Sequence, residues 1–174
     1  MFKANMIAPC GLDCNICSQA LLKNDPCPGC NGPDNHKPEF CAMYCGIILC
    51  RKRRENGYQY CDECPDYPCG EVMEKETRYT TQYPHRESPL ENLQMIREHG
   101  MDTFLKNEES KWTCQTCGKP FSVHDRCCPH CGKKIEKMLS ERESGERSRR
   151  KKRFAVLPAS IPKLKTSCGM PIPA

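Results

Sequence analysis

Short apolar runs at helical spacing, separated by polar residues, glycine and proline, predict a chain of small helices and loops. In residues 39–55, Phe40 and Ile47 recur on one face and predict an amphipathic helix. A shorter helix is predicted for residues 18–23, and a more polar one for residues 70–79. The pattern therefore indicates a mainly helix-and-loop N-terminal part with a small apolar core.

The clearest helix start in the chain lies at Ser88. Ser88 can cap the helix, Pro89 suits the first helical position, and Glu91 completes a capping box. Apolar residues then follow at helical spacing until Gly100, and a further short helix is predicted for residues 101–107. These helices are expected to link two cysteine-rich parts of the chain.

Eleven cysteines lie in the N-terminal part, at a spacing typical of metal ligands: Cys10, Cys14, Cys17, Cys27, Cys30, Cys41, Cys45, Cys50, Cys61, Cys64 and Cys69. A Cys-x-x-Cys pair places two thiolates on one tight turn, where both can bind a single ion. One four-sulfur site can be formed by Cys14, Cys17, Cys27 and Cys30. Another can be formed by Cys45 or Cys41 with Cys50, Cys61 and Cys64, with Cys69 and Cys10 as competitors. Interleaved pairings are equally compatible with the sequence.

A second cysteine unit follows Trp112 and has the spacing of a zinc ribbon. Two Cys-x-x-Cys-Gly turns contain its four candidate ligands, which are Cys114, Cys117, Cys128 and Cys131. In a zinc ribbon, the tips of two short hairpins present four sulfurs tetrahedrally to one ion. A strand is predicted for residues 121–124, between the two turns, and a short helix for residues 133–139.

The composition favours metal over a large apolar core. Hydrophobic residues make up 37% of the 174 residues, the mean hydropathy is −0.74, and seventeen residues are cysteine. Small polar domains need disulfides, metals or partners for stability. Residues 1–14 contain no apolar stretch of signal-peptide length, and no membrane span is predicted. A cytoplasmic location is therefore expected, where thiols stay reduced and bind metal rather than forming disulfides.

The positive charge is concentrated at the end of the chain. Residues 140–174 contain nine basic and three acidic side chains, whereas the other 139 residues have a net charge of −1. Five consecutive cations could bind nucleic-acid phosphates in a salt-dependent way: Arg149, Arg150, Lys151, Lys152 and Arg153. The alternative is a solvated charge run. The whole tail is predicted to be disordered.

Five sequence stretches occur together along residues 6–132. They are Ile7-Ala8-Pro9-Cys10-Gly11-Leu12-Asp13-Cys14, Cys27-Pro28-Gly29-Cys30, Cys61-Asp62-Glu63-Cys64-Pro65-Asp66-Tyr67-Pro68-Cys69, Asn92-Leu93-Gln94-Met95-Ile96-Arg97-Glu98-His99-Gly100, and the unit that starts at Trp112. In combination they resemble a family of prokaryotic proteins, the domain of unknown function 3795. The resemblance implies a cysteine-rich, zinc-binding cytoplasmic protein and supplies no activity. Cys41 and Cys127 are additional to the family's pattern.

Together these features predict a small metal-stabilised α+β protein. Its predicted units are a cysteine-rich metal-binding domain (1–80), a helical linker (81–110), a zinc ribbon with hairpins (111–139) and a basic tail (140–174). About three zinc ions are expected, in a non-enzymatic binding or regulatory module with a protein or nucleic-acid partner. No catalytic residue is predicted. The alternative is a redox protein with an iron–sulfur cluster in the N-terminal domain.

Overall fold

A computed structural model describes residues 1–135, in which four α-helices are joined by loops and tight turns. The α-helices are α1 (Arg51–Asn56), α2 (Gly70–Thr81), α3 (Pro89–His99) and α4 (Met101–Lys111). A π-helical turn spans Phe40–Tyr44, and 3-10 turns span Ala4–Met6, Cys14–Ile16, Asp34–His36 and Cys61–Glu63. Over the described range, β structure is confined to three isolated antiparallel bridges, which pair Ile7 with Asp13, Thr113 with Pro120 and Cys127 with Lys134. None of the helices in this range is long and apolar enough to cross a membrane.

The helices predicted from local signals are confirmed. α2 covers the polar helix predicted from residue 70, and α3 begins where the capping pattern placed it. The Ser88 hydroxyl accepts a hydrogen bond from the Glu91 backbone N–H at 3.1 Å, and Gly100 follows the last helical residue. α4 is longer than predicted and runs to Lys111.

The single helix predicted for residues 39–55 is wrong, because the chain leaves the helical path after Tyr44. Cys45 has an extended backbone, and α1 begins only at Arg51. Gly46 lies against α2, where an added Cβ atom would meet the Glu71 carboxylate. The local sequence pattern contains no sign of this contact with a distant segment.

Two other local predictions also differ from the structure. Residues 18–23 form turns, in which the Ala20 and Leu21 N–H groups both donate to the Cys17 carbonyl. Residues 121–124 form no strand, and the chain turns at Val123. The helix predicted for residues 133–139 lies outside the described residues from position 136 to its end. The basic tail at 140–174, with its five cations, lies wholly outside them.

Cysteine sulfur makes up much of the buried core. One buried cluster, in which four of seven residues are cysteines, comprises Ala8, Cys10, Cys14, Cys45, Ile47, Cys61 and Val72. The other comprises Ile16, Trp112, Cys114, Phe121, Val123 and Cys128. Thiols thus occupy positions that aliphatic side chains fill in most small domains.

The first cysteine loop is fixed against the start of α3, which itself packs on α2 and α4. The Asn92 side-chain amide donates to the Gly11 carbonyl at 2.9 Å, and the Asp13 backbone N–H donates to Glu87 Oε1 at 2.6 Å. These bonds hold Cys10 and Cys14 in place, because both residues directly flank the bonded segment.

The contact of Gly11 with α3 predicts that the substitution Gly11→Ala strongly destabilises the protein. Gly11 has a φ of +97°, and an added Cβ would lie 2.4 Å from the Pro89 carbonyl oxygen. We expect the free energy of unfolding to fall by about 2–4 kcal/mol, as measured by urea denaturation of the metal-loaded protein. Gly57→Ala is the matched control, since Gly57 also has a positive φ (+68°) but nothing within 4 Å of its Cβ position. Equal losses in the two variants would contradict the proposed role of the α3 contact.

Candidate metal centre

Two similar turns present the four cysteines of the C-terminal unit. In the first turn, the Cys114 N–H donates to the Lys119 carbonyl at 2.9 Å, and the Gly118 N–H donates back to the Cys114 carbonyl at 2.8 Å. In the second turn, the Gly132 N–H donates to the Cys128 carbonyl at 2.9 Å. Each turn needs its glycine, because the φ angles of Gly118 and Gly132 are +66° and +70°.

The four sulfurs of these turns converge on one point. We call Cys114, Cys117, Cys128 and Cys131 the C-terminal cysteine cluster, and their Sγ atoms all lie within 4.8 Å of one another. The Cys114 and Cys131 sulfurs are 3.7 Å apart, and the Cys117 and Cys128 sulfurs are 3.6 Å apart. Four thiolates bound tetrahedrally at about 2.3 Å from a zinc ion are separated by about 3.8 Å. The cluster could therefore hold a metal ion.

Backbone amides favour the thiolate form of one member of this cluster. Hydrogen bonds from the N–H groups of Cys117 and Thr116 lower the pKa of Cys114 to about 6. The thiolate is the form of cysteine that binds metal. The sequence of the turn thus supplies both the ligand and the dipoles that favour its charged form.

The N-terminal cysteines are arranged differently, around a cavity. Seven of them line a single cavity of about 180 Å³, which we call the thiol cavity: Cys10, Cys14, Cys17, Cys27, Cys30, Cys41 and Cys45. Lys37, Lys75 and Arg78 also contribute to its wall. The wall is completed by apolar residues, including Ile16, Phe40 and Ile47.

Cys30 is the cysteine of this cavity at which charge is best stabilised. The Cys14 thiol donates to the Cys30 sulfur at 3.6 Å, and this hydrogen bond lowers the pKa of Cys30. The nearby cations Lys37, Lys75 and Arg53 lower it further. By contrast, burial raises the pKa of Cys41 to about 11.

The remaining N-terminal cysteines do not line the thiol cavity and form a second group around Cys61. Burial raises the pKa of Cys61 to about 12, and the neighbouring Cys69, Cys50 and Cys64 add to this rise. Cys45, which the sequence allowed as a partner of this group, lines the thiol cavity instead. The grouping of N-terminal ligands around particular ions stays a prediction.

Several residues of the site carry no signal in the sequence. Lys75 is 6% exposed and reaches the cavity from α2, although its segment looks like an ordinary polar helix. Asp13 and Glu87 are 3% and 1% exposed, although a carboxyl is ordinarily expected at the surface, and Glu87 also stands in a polar stretch. Burial raises the pKa of Asp13 to about 7 and that of Glu87 well above its ordinary value.

The raised pKa of the buried Glu87 predicts that its contribution to the free energy of unfolding falls as the pH rises. Because its pKa is higher in the folded protein than in the unfolded chain, the folded state binds the proton more tightly. The associated stability is present below the ordinary carboxyl pKa and is lost as the pH rises towards the folded pKa. This loss is at most about 1.4 kcal/mol per pH unit for one proton.

Glu87→Gln is expected to remove this dependence. Glutamine retains an oxygen that can accept the Asp13 N–H, and it has no proton to lose. Unfolding free energies measured between about pH 5 and pH 8 should fall less steeply in this variant than in the wild type. Glu98→Gln, at a carboxylate that is 52% exposed on α3, is the control and should follow the wild type. Parallel pH profiles for Glu87→Gln and wild type would show that another group is responsible.

The structure thus defines a helix-rich, cysteine-rich protein with a four-cysteine cluster able to hold a metal ion. Residues 6–74 match a family described as Protein of unknown function (DUF3795). This segment is less than half of the chain but contains all eleven N-terminal cysteines, and it supports the resemblance to that family. The C-terminal cysteine cluster lies outside the matched residues. Neither a curated protein nor a solved structure matches the chain.

Proposed function

We propose that this protein is a zinc-binding, non-enzymatic binding or regulatory module, and that its C-terminal unit is a zinc ribbon. The observation that carries the proposal is the convergence of four sulfurs, with two separations of 3.6 and 3.7 Å. These separations fit the edge of about 3.8 Å expected around tetrahedral zinc. Two further zinc ions, predicted from the sequence for the N-terminal domain, are the alternative there to an iron–sulfur cluster.

The donor set supports a structural role for this metal. Catalytic zinc sites keep one coordination position for water or substrate, whereas closed sites with four thiolates are structural. Such an ion contributes about 10–16 kcal/mol of apparent binding free energy in small zinc peptides. That contribution is comparable to the whole stability of a typical domain, about 5–15 kcal/mol. Zinc would therefore compensate for a core in which so many buried positions are thiols.

Metal analysis of the protein purified under reducing conditions tests the zinc proposal. We expect at least one zinc per chain, and we expect the paired substitution Cys117→Ser/Cys131→Ser to remove one zinc. A wild-type protein without zinc, or with iron bound by the C-terminal cysteine cluster, would contradict the proposal, because tetrahedral four-sulfur sites also accept iron.

The basic tail is the proposed partner-binding segment. Nucleic acid and protein are its two candidate partners. If residues 149–153 bind phosphates, the affinity of the full chain for a DNA or RNA duplex should fall steeply as salt increases. A chain that ends before Ser140 should then bind more weakly and with a smaller salt dependence. Equal binding by the two chains would exclude this role of the tail and would favour a protein partner.

A further inference from the structure

The thiol cavity differs from the C-terminal cysteine cluster in the way its sulfurs are spaced. Within residues 1–135, the C-terminal cluster is the group whose ligand atoms all lie within 4.8 Å of one another. A single zinc ion requires such convergence, because four Zn–S bonds of about 2.3 Å bring the sulfurs into mutual contact. An iron–sulfur cluster distributes its cysteines over several irons, so that only cysteines on the same iron approach each other as closely as zinc ligands do.

The size of the cavity also indicates an occupant larger than one ion. Its volume is about 180 Å³, at least ten times the roughly 10–15 Å³ that one water molecule needs on the same measure. Apolar residues enclose much of this space, so that a bound group would be shielded from solvent. Cysteine ligands in a solvent-poor pocket are what an iron–sulfur cluster requires.

Two of the Cys-x-x-Cys turns meet at this cavity. Gly29, with a φ of +81°, lies so close to the first turn that an added Cβ would be 3.5 Å from the Cys14 Cβ and 2.8 Å from the Met6 sulfur. The Cys14 and Cys30 sulfurs are 3.6 Å apart across this contact. The close packing brings the Cys14/Cys17 pair and the Cys27/Cys30 pair to the same cavity.

A buried cation in the wall matches the negative charge that a thiolate-bound cluster would have. The Lys37 ammonium donates to the Cys30 carbonyl at 2.9 Å but is already paired with the Asp34 carboxylate at 2.8 Å. The Lys75 ammonium lies 5.3 Å from the centre of the Phe40 ring, and none of the ion pairs among the described residues includes it. Lysine is almost never so deeply buried without a compensating charge. A bound anionic cluster would supply that charge.

The backbone around Cys41, in the wall of the thiol cavity, has an unusual conformation. Phe40–Tyr44 forms a π-helical turn, and its residues Phe40 and Cys41 both line the cavity. Such turns are rare and occur frequently at functional sites. This turn contributes a seventh thiol to a wall that already contains two Cys-x-x-Cys pairs.

We propose that the thiol cavity binds an iron–sulfur cluster, with Cys14, Cys17, Cys27 and Cys30 as its ligands and with Lys75 as its buried counter-charge. Cys10, Cys41 and Cys45 complete the wall. The cluster is separate from the proposed zinc ribbon, and either assignment can fail without the other.

Anaerobic reconstitution of the full chain tests this proposal. Wild-type protein incubated with ferric iron, a thiol reductant and sulfide should become brown and retain about two to four iron and as many sulfide ions per chain, according to the cluster type. Incubation with iron but without sulfide should give neither the brown colour nor the retained iron. If zinc alone fills the cavity and prevents iron and sulfide from binding, or if the protein stays colourless, the proposal is wrong.

Paired substitutions locate the cluster. Cys17→Ser/Cys27→Ser should lower the iron and sulfide content at least tenfold and leave the zinc of the C-terminal cysteine cluster in place. Cys117→Ser/Cys131→Ser should have the opposite effect, and Cys64→Ser, outside the cavity, should leave the iron content unchanged. Iron and sulfide that persist in Cys17→Ser/Cys27→Ser would overturn the ligand assignment. If that variant does not fold, protection of Cys17 and Cys27 from alkylation in the reconstituted wild-type protein decides the question.

Discussion

Replacing Cys128 with serine is expected to release the C-terminal metal and to unfold the C-terminal unit. The hydroxyl of serine is a poor substitute for a thiolate ligand, and Cys128 is only 2% exposed, so that the substitution also buries a polar group. Loss of a structural metal is among the few single changes that cost more than about 4 kcal/mol. We expect one zinc fewer per chain and a fall in unfolding free energy of at least that size.

Metal analysis and urea denaturation of the same samples measure this effect. Gln115→Ser is the matched control, because Gln115 is an exposed residue of the first turn and has no thiol. It should retain zinc and wild-type stability. Chelation of the wild-type protein should reproduce the Cys128→Ser result, because both remove the same ion. A Cys128→Ser protein with full zinc content and an unchanged midpoint would refute the structural role of the metal.

The second large effect is expected from Trp112→Ala. Trp112 is completely buried and packs edge-on against Phe121, with the ring centres 5.6 Å apart. Its indole N–H donates to Glu108 Oε2 at 2.6 Å. Truncation removes the largest side chain of this core and leaves a cavity, which costs about 3–5 kcal/mol. Circular dichroism is the suitable probe, because the chain has one tryptophan and the variant loses its fluorescence.

Trp112→Phe separates packing from hydrogen bonding. Phenylalanine retains an aromatic ring against Phe121 but removes the donor to Glu108, a carboxylate that is 4% exposed. We expect an intermediate loss of about 1–3 kcal/mol. Tyr44→Ala, at a ring that is 65% exposed, is the control and should change stability by less than about 0.5 kcal/mol. A loss for Trp112→Ala no larger than that of the control would contradict the packing described here.

Features encoded within a few residues were predictable from the sequence. The start of α3 depends on Ser88, Pro89 and Glu91, which act on one another directly. The C-terminal cysteine cluster likewise follows from two short Cys-x-x-Cys-Gly turns, whose glycines permit the required backbone. In both cases the residues that determine the geometry are neighbours in the chain.

Features that depend on distant segments were not predictable. The helix expected at 39–55 ends at Tyr44, just before Gly46 approaches Glu71 of α2, and no local pattern indicates that approach. The thiol cavity combines cysteines from the first 45 residues with Lys75 of α2 and Val123 of the C-terminal unit. Spacing indicated the thiols as candidate metal ligands but could not assign them to groups, because each grouping is set by tertiary packing.

Ile16 connects the two cysteine-rich parts of the molecule. It stands between Cys14 and Cys17, yet its side chain is buried with Trp112 and Phe121 beneath the C-terminal cysteine cluster. An ion bound in one part would order the residues around Ile16. The other part would then lose less conformational entropy when it binds its own ion. By reciprocity, occupancy of either centre should raise the affinity of the other by the same factor. Titration with a chelator should accordingly empty both centres over a narrower concentration range than two independent sites would show.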